Sequence, residues 1–190
     1  GNTTVNCGEN QNYTIAANNG YRILDVVVDG QSVGAVESYS FDNVTANHSI
    51  SATFIAVLNI DINADAEGGS VTPTGTQTLD EGESFTFTVT PDNCYEIGNV
   101  TVNGVAVTLD ANNSYTINNV TADQNINVTF NPITYTIEAS ASNGGTITPA
   151  GNTTVNCGEN QSYTIAANNG YRILDVVVDG QSVGAVESYS

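Results

Sequence analysis

Residues 20–54 read GYRILDVVVDGQSVGAVESYSFDNVTANHSISATF, and residues 94–130 read CYEIGNVTVNGVAVTLDANNSYTINNVTADQNINVTF. In both stretches apolar residues alternate with Thr, Asn, Ser and Asp, as at Val26 and Val28 or at Val100 and Val102. A period of two is typical of half-buried strands that turn one face to a core and the other to water. No segment has a convincing helical period. The two stretches therefore predict an all-β fold.

The turn residues support hairpins at fixed places. Asp29-Gly30 and Asn103-Gly104 each separate two runs of alternating apolar residues. A type I′ hairpin turn needs two residues that tolerate positive φ, and Asp-Gly and Asn-Gly meet that need. We therefore interpret Asp29 and Asp179 as turn formers first and as candidate ligands only second.

The chain repeats itself. Residues 1–40 recur at 151–190 with a single change, Asn12 to Ser162, which gives a period of 150 residues. A weaker repeat of half that length appears when residues 133–190 followed by 41–57 are laid over residues 58–132. Self-similarity of this kind predicts a tandem array of small units of about 75 residues. We expect a type A repeat at 1–57 that is truncated at its N-terminus, a complete type B repeat at 58–132, and a type A repeat at 133–190 that is truncated at its C-terminus.

Comparison of the two repeat types predicts the core. The positions that stay apolar in both types are Val5 and Leu79, Tyr13 and Phe87, Ile15 and Val89, Val26 and Val100, Val28 and Val102, Tyr39 and Tyr115, Phe41 and Ile117, Val44 and Val120, Ile50 and Ile126, Ala52 and Val128, and Phe54 and Phe130.

The junctions between repeats are short. At the first junction the alternation continues without a break from Ile50 through Phe54 to Ile60 and Ile62. We expect one strand to leave the first repeat and continue into the second, which would make the array a stiff rod. No Gly/Ser-rich or Pro-rich linker separates the repeats.

The charge excludes two classes of partner. The chain carries 20 Asp and Glu against two basic residues, Arg22 and Arg172, and a formal net charge of −18. Nucleic acids and anionic membrane surfaces both need cationic neutralisation, so we expect neither as a partner. Cation binding and simple solubility remain the two interpretations of the acidity. Because the chain has no Lys, Lys–Asn isopeptide bonds cannot form.

Targeting segments are missing from this stretch. There is no initiator Met, no signal-peptide start and no apolar run near the ~18 residues of a membrane helix. We interpret the chain as a fragment of a longer protein, with no membrane insertion in this segment.

The residues resemble a known family, the divergent internalin-type B-repeat of large secreted and bacterial surface proteins. The stretches that carry the resemblance are GGTITPAGNTTVNCGENQSYTI, the GYRILDVVVDG block and ESYSFDNVTANHSISATF. The resemblance implies a small β-rich unit, β-grasp-like or β-sandwich-like, that serves in stalks, adhesins and extracellular polymers. It carries no shared active site.

The three cysteines suggest a covalent junction. Cys7, Cys94 and Cys157 fall one to each repeat, so no disulfide can form within a repeat. Cys7 lies in the turn that enters the strand near Tyr13, and Cys94 lies in the turn that leaves the equivalent type B strand. We hypothesise a disulfide between neighbouring repeats, Cys94 with either Cys157 or Cys7. A bridge between chains and free thiols are the alternatives, although exposed thiols outside the cell tend to oxidise.

A catalytic or metal site finds little support. His48 is the only histidine and lies in a turn, which is typical of a surface residue. With no second His and no paired Cys in ligand spacing, neither a zinc site nor a catalytic triad can be assembled. The weak calcium candidate is Asp61, Asn63, Asp65 and Glu67, which alternate before a glycine. An EF-type loop would have Gly at position 66 and a bidentate Glu further on, and the type A counterpart EASASNGG lacks the acids. We expect no cofactor, with calcium as the single candidate.

These observations predict a structural segment of an extracellular fibre, filament or surface stalk, and not an enzyme. Its expected partners are neighbouring repeats and copies of itself. The alternative is a ligand-binding or spacer region of a bacterial adhesin, with an undetermined carbohydrate or host ligand. Third comes an accessory region of a secreted enzyme. A binder should share outward Arg or aromatic residues between type A repeats, and only Arg22 and Arg172 qualify. The alternative for these two arginines is an ion pair with acids at a junction, near Glu96.

Overall fold

The computed structural model describes residues 1–190 and contains strands but no helix. It therefore contains no helix that is long and apolar enough to span a membrane. The strands of the first repeat and of the first junction are β1 (Gln11–Thr14), β2 (Tyr21–Val28), β3 (Gln31–Gly34), β4 (Ser38–Phe41) and β5 (Ile50–Ala64). Those of the middle repeat are β6 (Gly69–Thr72), β7 (Gln77–Asp80), β8 (Phe85–Pro91), β9 (Tyr95–Val102), β10 (Val105–Ala106), β11 (Ser114–Ile117) and β12 (Gln124–Pro132). Those of the last repeat are β13 (Thr134–Ala139), β14 (Gly145–Thr148), β15 (Gly151–Asn156), β16 (Tyr163–Ala167), β17 (Val176–Val178), β18 (Gln181–Gly184) and β19 (Ser188–Tyr189). The predicted all-β class is confirmed.

Contacts divide the chain into two compact units. Unit 1 comprises residues 1–64, 71–89 and 100–128, and unit 2 comprises residues 65–70, 90–99 and 129–190. The middle repeat contributes residues to both units.

The middle repeat is built from two sheets. Part of a seven-stranded sheet has the order β10-β9-β12-β5, and a three-stranded sheet has the order β11-β8-β6. β12 pairs in parallel with β5, from Gln124 opposite Ile60 to Val128 opposite Ala64. Its last strand therefore lies beside its first and is central to the repeat.

The first junction is a single strand. β5 is 15 residues long and runs from Ile50 to Ala64. Its first part pairs antiparallel with β2, and residues 57–60 pair antiparallel with β7. The predicted continuous strand is confirmed. At the second junction Ile133 interrupts the strand, between β12 and β13.

The hairpin turns have the predicted backbone. Asp29 and Gly30 have φ of +48° and +82°, and Asn103 and Gly104 have +52° and +77°. Two successive positive φ values are the condition for a type I′ turn, which matches the twist of the flanking strands.

The core is best formed in unit 1. The largest side chains that are almost wholly buried are Phe87, Ile60, Ile126, Val26, Val89, Val120 and Val128. All but Val26 belong to the middle repeat, the one for which every predicted strand is present.

One predicted core residue was wrong. Phe54 is 42% exposed, whereas its type B counterpart Phe130 is 7% exposed. Phe130 lies against the glycine turn at Gly68 and Gly69. Residues 1–57 contain no equivalent turn, so nothing covers Phe54 in the same way.

Candidate functional site

A disulfide joins the second and third repeats. Cys94 and Cys157 are bonded, with their Cα atoms 5.3 Å apart. The amide of Ile133 donates to the carbonyl of Cys94 at 2.8 Å, and the amide of Cys157 donates to the carbonyl of Ile133 at 2.9 Å. Both bonded cysteines are therefore hydrogen-bonded through their backbones to the one residue that separates β12 from β13. Of the two pairings that the sequence left open, the structure has Cys94 with Cys157.

Cys7 is the remaining thiol. It is exposed and free, although its surroundings in sequence are those of Cys157. Cys157 is bonded to Cys94 of the type B repeat before it, so Cys94 is not available to Cys7.

An ion pair joins the first and second repeats. The Nε atom of Arg22 donates to Oδ1 of Asp80 at 2.6 Å, and a second guanidinium nitrogen donates to Oδ2. Arg22 lies opposite Ile55 of β5, and Asp80 lies opposite Val57, so the pair links the two strands that flank the junction. The guanidinium holds the pKa of Asp80 below its ordinary value, mainly through the hydrogen bond, and the pKa of Arg22 is raised.

The expected partner of the arginines needs correction. The partner of Arg22 is Asp80, and not an acid near Glu96. The reason is the continuous strand, which places β7 in line with β2 along one edge of β5. Arg172 forms no ion pair.

A second polar contact fastens a hairpin turn to the following strand. The Asp29 carboxylate lies 2.6 Å from Nδ1 of His48 and accepts the amide of Ser49 at 2.7 Å. Asn103 does the same in type B, where it donates to Gln124 and accepts the amide of Asn125, both at 2.8 Å. The hydrogen bond from His48, followed by that from Ser49, lowers the pKa of Asp29.

The weak calcium candidate is not assembled into a cluster. The carboxylate of Asp61 accepts the Thr76 hydroxyl at 2.7 Å, and that of Asp65 accepts the Phe130 amide at 3.0 Å. No group of three or more His, Cys, Asp or Glu side chains in the chain is arranged to hold a metal ion. The Asp61 and Asp65 side chains serve as hydrogen-bond acceptors for neighbouring segments.

An open depression of about 210 Å³ lies in unit 1. Ala16, Asn18, Tyr21 and Phe54 line it. Small-molecule pockets usually have volumes of ~300–1,000 Å³ and bury most of their ligand. The depression is smaller than these and is open to solvent.

A family comparison agrees with this architecture. The model of the divergent InlB B-repeat domain matches residues 58–134 and 135–188. The chain therefore belongs to the divergent InlB B-repeat family, and it carries the repeat in tandem. No curated protein and no solved structure matches the chain.

The sequence did not reveal the two polar contacts. Asp80 precedes the acidic run Glu81, Gly82 and Glu83 and looks like an ordinary solvated acid. A usable signal was present at the turn, where Asp29 with His48 in type A becomes Asn103 with Gln124 in type B. A joint change at two positions 19 or 21 residues apart indicates contact.

Proposed function

We propose that the chain is a structural segment of an extracellular fibre, filament or surface stalk, and that it has no catalytic role. Its partners are neighbouring repeats and copies of the same chain. The observation that carries the proposal is that two successive junctions are fastened, one by strand β5 and one by the Cys94–Cys157 disulfide.

The fastenings suit a structural role. A strand that continues from one repeat into the next leaves no flexible linker at which the array could bend. The disulfide fits an oxidising environment outside the cell, where such bonds persist. A net charge of −18 keeps a long array of such repeats soluble.

Electron microscopy of the native material tests the proposal. We expect uniform filaments or stalks whose axial spacing repeats with each pair of type A and type B repeats. The same material treated with a reductant is the control, because loss of the disulfide should disturb every second junction. Globular particles without a repeat along their length would contradict the structural role.

The alternative function is a ligand-binding or spacer region of an adhesin. The depression at Tyr21 and Phe54 favours it, because it combines an aromatic lining with an open mouth. Glycan-array screening checks this alternative. Binding that is lost on Tyr21→Ala would support the adhesin, and a chain that binds no glycan would leave the structural role.

A further inference from the structure

Four Asn-Gly pairs occur in the chain, and they differ in how the asparagine side chain is held. The pairs are Asn19-Gly20, Asn103-Gly104, Asn143-Gly144 and Asn169-Gly170. The second pair belongs to the type B repeat, and the other three belong to type A repeats. All four asparagines are exposed to solvent. Exposure alone therefore does not distinguish them.

The side chain of Asn103 is held at both ends of its amide group. Its Nδ2 atom donates to Oε1 of Gln124 and its Oδ1 atom accepts the amide of Asn125, both at 2.8 Å. The hairpin turn also holds the backbone of Asn103 at a φ of +52°. The side chain cannot turn towards the amide nitrogen of Gly104 unless both hydrogen bonds break.

The three type A asparagines have no such restraint. No hydrogen bond involves the side chain of Asn19, Asn143 or Asn169. The glycine amide that follows each of them donates to no backbone acceptor. Residues 17–20 and residues 167–170 have the same sequence and different surroundings, and the asparagine is free in both. The three side chains can therefore approach the amide nitrogen of the following glycine.

The complete type B repeat shows that these two positions face solvent in a whole repeat. Glu67 stands at the position of Asn143, and Asn93 stands at that of Asn19 and Asn169. Both Glu67 and Asn93 are exposed, and neither side chain forms a hydrogen bond. The freedom of the type A asparagines is thus a property of the repeat fold.

We propose that Asn19, Asn143 and Asn169 are sites of spontaneous deamidation, and that Asn103 is protected from it. The amide nitrogen of the following glycine attacks Cγ of the asparagine and loses its proton, and the side-chain nitrogen leaves as ammonia. Water then opens the resulting succinimide ring at either carbonyl, which gives aspartate or isoaspartate. Glycine favours the attack because it has no Cβ and the least restricted backbone. The reaction needs only water and does not depend on the proposed extracellular role.

Deamidation of Asn19 would change the first junction. The carbonyl of Gly20 accepts the amide of Val57, in the strand that crosses the junction, at 2.8 Å. Arg22, three residues after Asn19, forms the ion pair with Asp80. Isoaspartate lengthens the main chain by one carbon atom just before Gly20, and either product adds a negative charge. The modification therefore falls beside the contacts that fasten a type A repeat to a type B repeat.

The second junction has a different residue at the same position. Cys94 stands where the type A repeats have Gly20 and Gly170. Its Cβ shields the amide nitrogen that follows Asn93, and its sulfur forms the disulfide with Cys157. The second junction therefore lacks an Asn-Gly pair where the first junction has one.

Mass mapping of the folded chain tests the proposal. Cleavage after glutamate places the four pairs in separate fragments, residues 10–37, 97–138, 139–159 and 160–187. On incubation at neutral pH we expect deamidation at Asn19, Asn143 and Asn169. The rate at Asn103 should be slower by roughly tenfold or more, because two hydrogen bonds must break before the ring can close. Equal rates at Asn103 and Asn143, or no reaction at the type A sites, would overturn the proposal.

The same chain unfolded in urea, with its disulfide reduced, is the control. All four pairs should then react at similar rates, because glycine follows each asparagine. A slow rate at Asn103 that persists in urea would assign the difference to the local sequence. That result would overturn the protection by the turn.

Substitution of Gln124 tests the hydrogen bonds. Gln124→Ala removes the acceptor for Nδ2 of Asn103 and should raise the rate at Asn103 by roughly severalfold, with the rate at Asn143 unchanged. The conservative variant Gln124→Glu keeps an acceptor oxygen and should retain the protection. Circular dichroism checks that both variants fold. An unchanged rate at Asn103 in folded Gln124→Ala would contradict protection by this contact.

Substitution of Gly20 tests the attacking nitrogen. A Cβ at Gly20 would meet nothing within 4 Å, so Gly20→Ala brings no steric clash. We expect the variant to lose deamidation at Asn19 and to keep it at Asn169, which lies in a loop of identical sequence in the same molecule. Deamidation of Asn19 at the wild-type rate in Gly20→Ala would overturn the attack by the glycine amide.

Discussion

At the scale of the residue, the most informative side chains are those that occur twice in different surroundings. Arg22 and Arg172 share their sequence neighbours, but only Arg22 has a carboxylate partner. Cys7 and Cys157 differ in the same way. The chain therefore contains its own controls, since the same substitution can be made with and without the contact.

The Arg22–Asp80 pair should make stability depend on pH. Because the folded-state pKa of Asp80 lies below its ordinary 3.8, the pair stabilises the fold above pH 3.8. That contribution is lost as the pH falls through the lowered pKa. We expect Arg22→Gln to lower the urea midpoint of unfolding at neutral pH, with a difference from the wild type that shrinks in acid. Arg172→Gln should leave the midpoint unchanged at every pH, and equal effects of the two substitutions would contradict the assignment.

The turn glycine at position 68 should tolerate no side chain. A Cβ there would lie 2.6 Å from Cδ1 of Tyr95 and 2.7 Å from Cβ of Phe130, and φ is +95°. Gly75 has φ of +69° with nothing within 4 Å, so Gly75→Ala measures backbone strain alone, about 1–2 kcal/mol. We expect Gly68→Ala to destabilise the fold by about 1–3 kcal/mol more, through overpacking. Chemical denaturation of both variants checks this, and equal losses would contradict it.

The Cys94–Cys157 disulfide should stabilise the fold, and Cys7 should make no contribution to stability. It closes a loop across a sequence separation of 63 residues. Restriction of the unfolded chain then predicts that Cys94→Ser lowers the free energy of unfolding by about 2–4 kcal/mol. Cys7→Ser is the control and should have no effect in the monomer. Peptide mapping without reduction should find Cys7 as the single alkylated cysteine, and alkylation of all three would contradict the bridge.

At the scale of the element, β5 is the feature that the sequence predicted best. The alternation of apolar and polar residues continues from Ile50 to Ile62 across the repeat boundary. Only a single strand in constant register can bury the apolar residues before and after that boundary on the same face. The hairpin turns were equally predictable, because few residues accept positive φ twice in succession. Strand order was not predictable, since alternation specifies which face of a strand is buried and not which strand lies beside it. The sequence therefore did not predict the parallel pairing of β12 with β5.

The continuity of β5 should be essential to its register. Side chains of a strand alternate between its two faces with a period of two. Insertion of one Gly after Ala56 would therefore turn the apolar side chains of residues 50–56 and those of residues 57–64 to opposite faces. Ile60 is completely buried, and its loss from the core predicts a destabilisation of about 2–5 kcal/mol. A Gly inserted after Asn112, in the exposed turn before β11, is the matched control and should cost much less. Thermal unfolding checks both, and similar losses would contradict the role of the strand.

At the scale of the whole molecule, the sequence predicted the repeats and their family but not the way in which they are completed. The 150-residue period and the type A and type B alignment are visible in the letters alone. Burial is not visible in the sequence, because residues 21–28 and residues 171–178 have the same sequence but are buried to different degrees. Core formation here depends on a strand distant in sequence, and no local pattern records whether that strand is present. Phe54 was predicted wrongly for the same reason.

The disulfide also determines how the chain would respond to tension. A pull on the two ends would pass from Cys94 to Cys157 through the sulfur atoms, and the 63-residue separation between them would carry no force. At ~3.3–3.6 Å per extended residue, this shields roughly 200 Å of contour length from extension. Single-molecule stretching should therefore give a final length shorter by roughly 200 Å under oxidising conditions than under reducing ones. Each such bridge would make the protein less extensible, so the redox state of the surroundings would set how far it can be drawn out before it breaks.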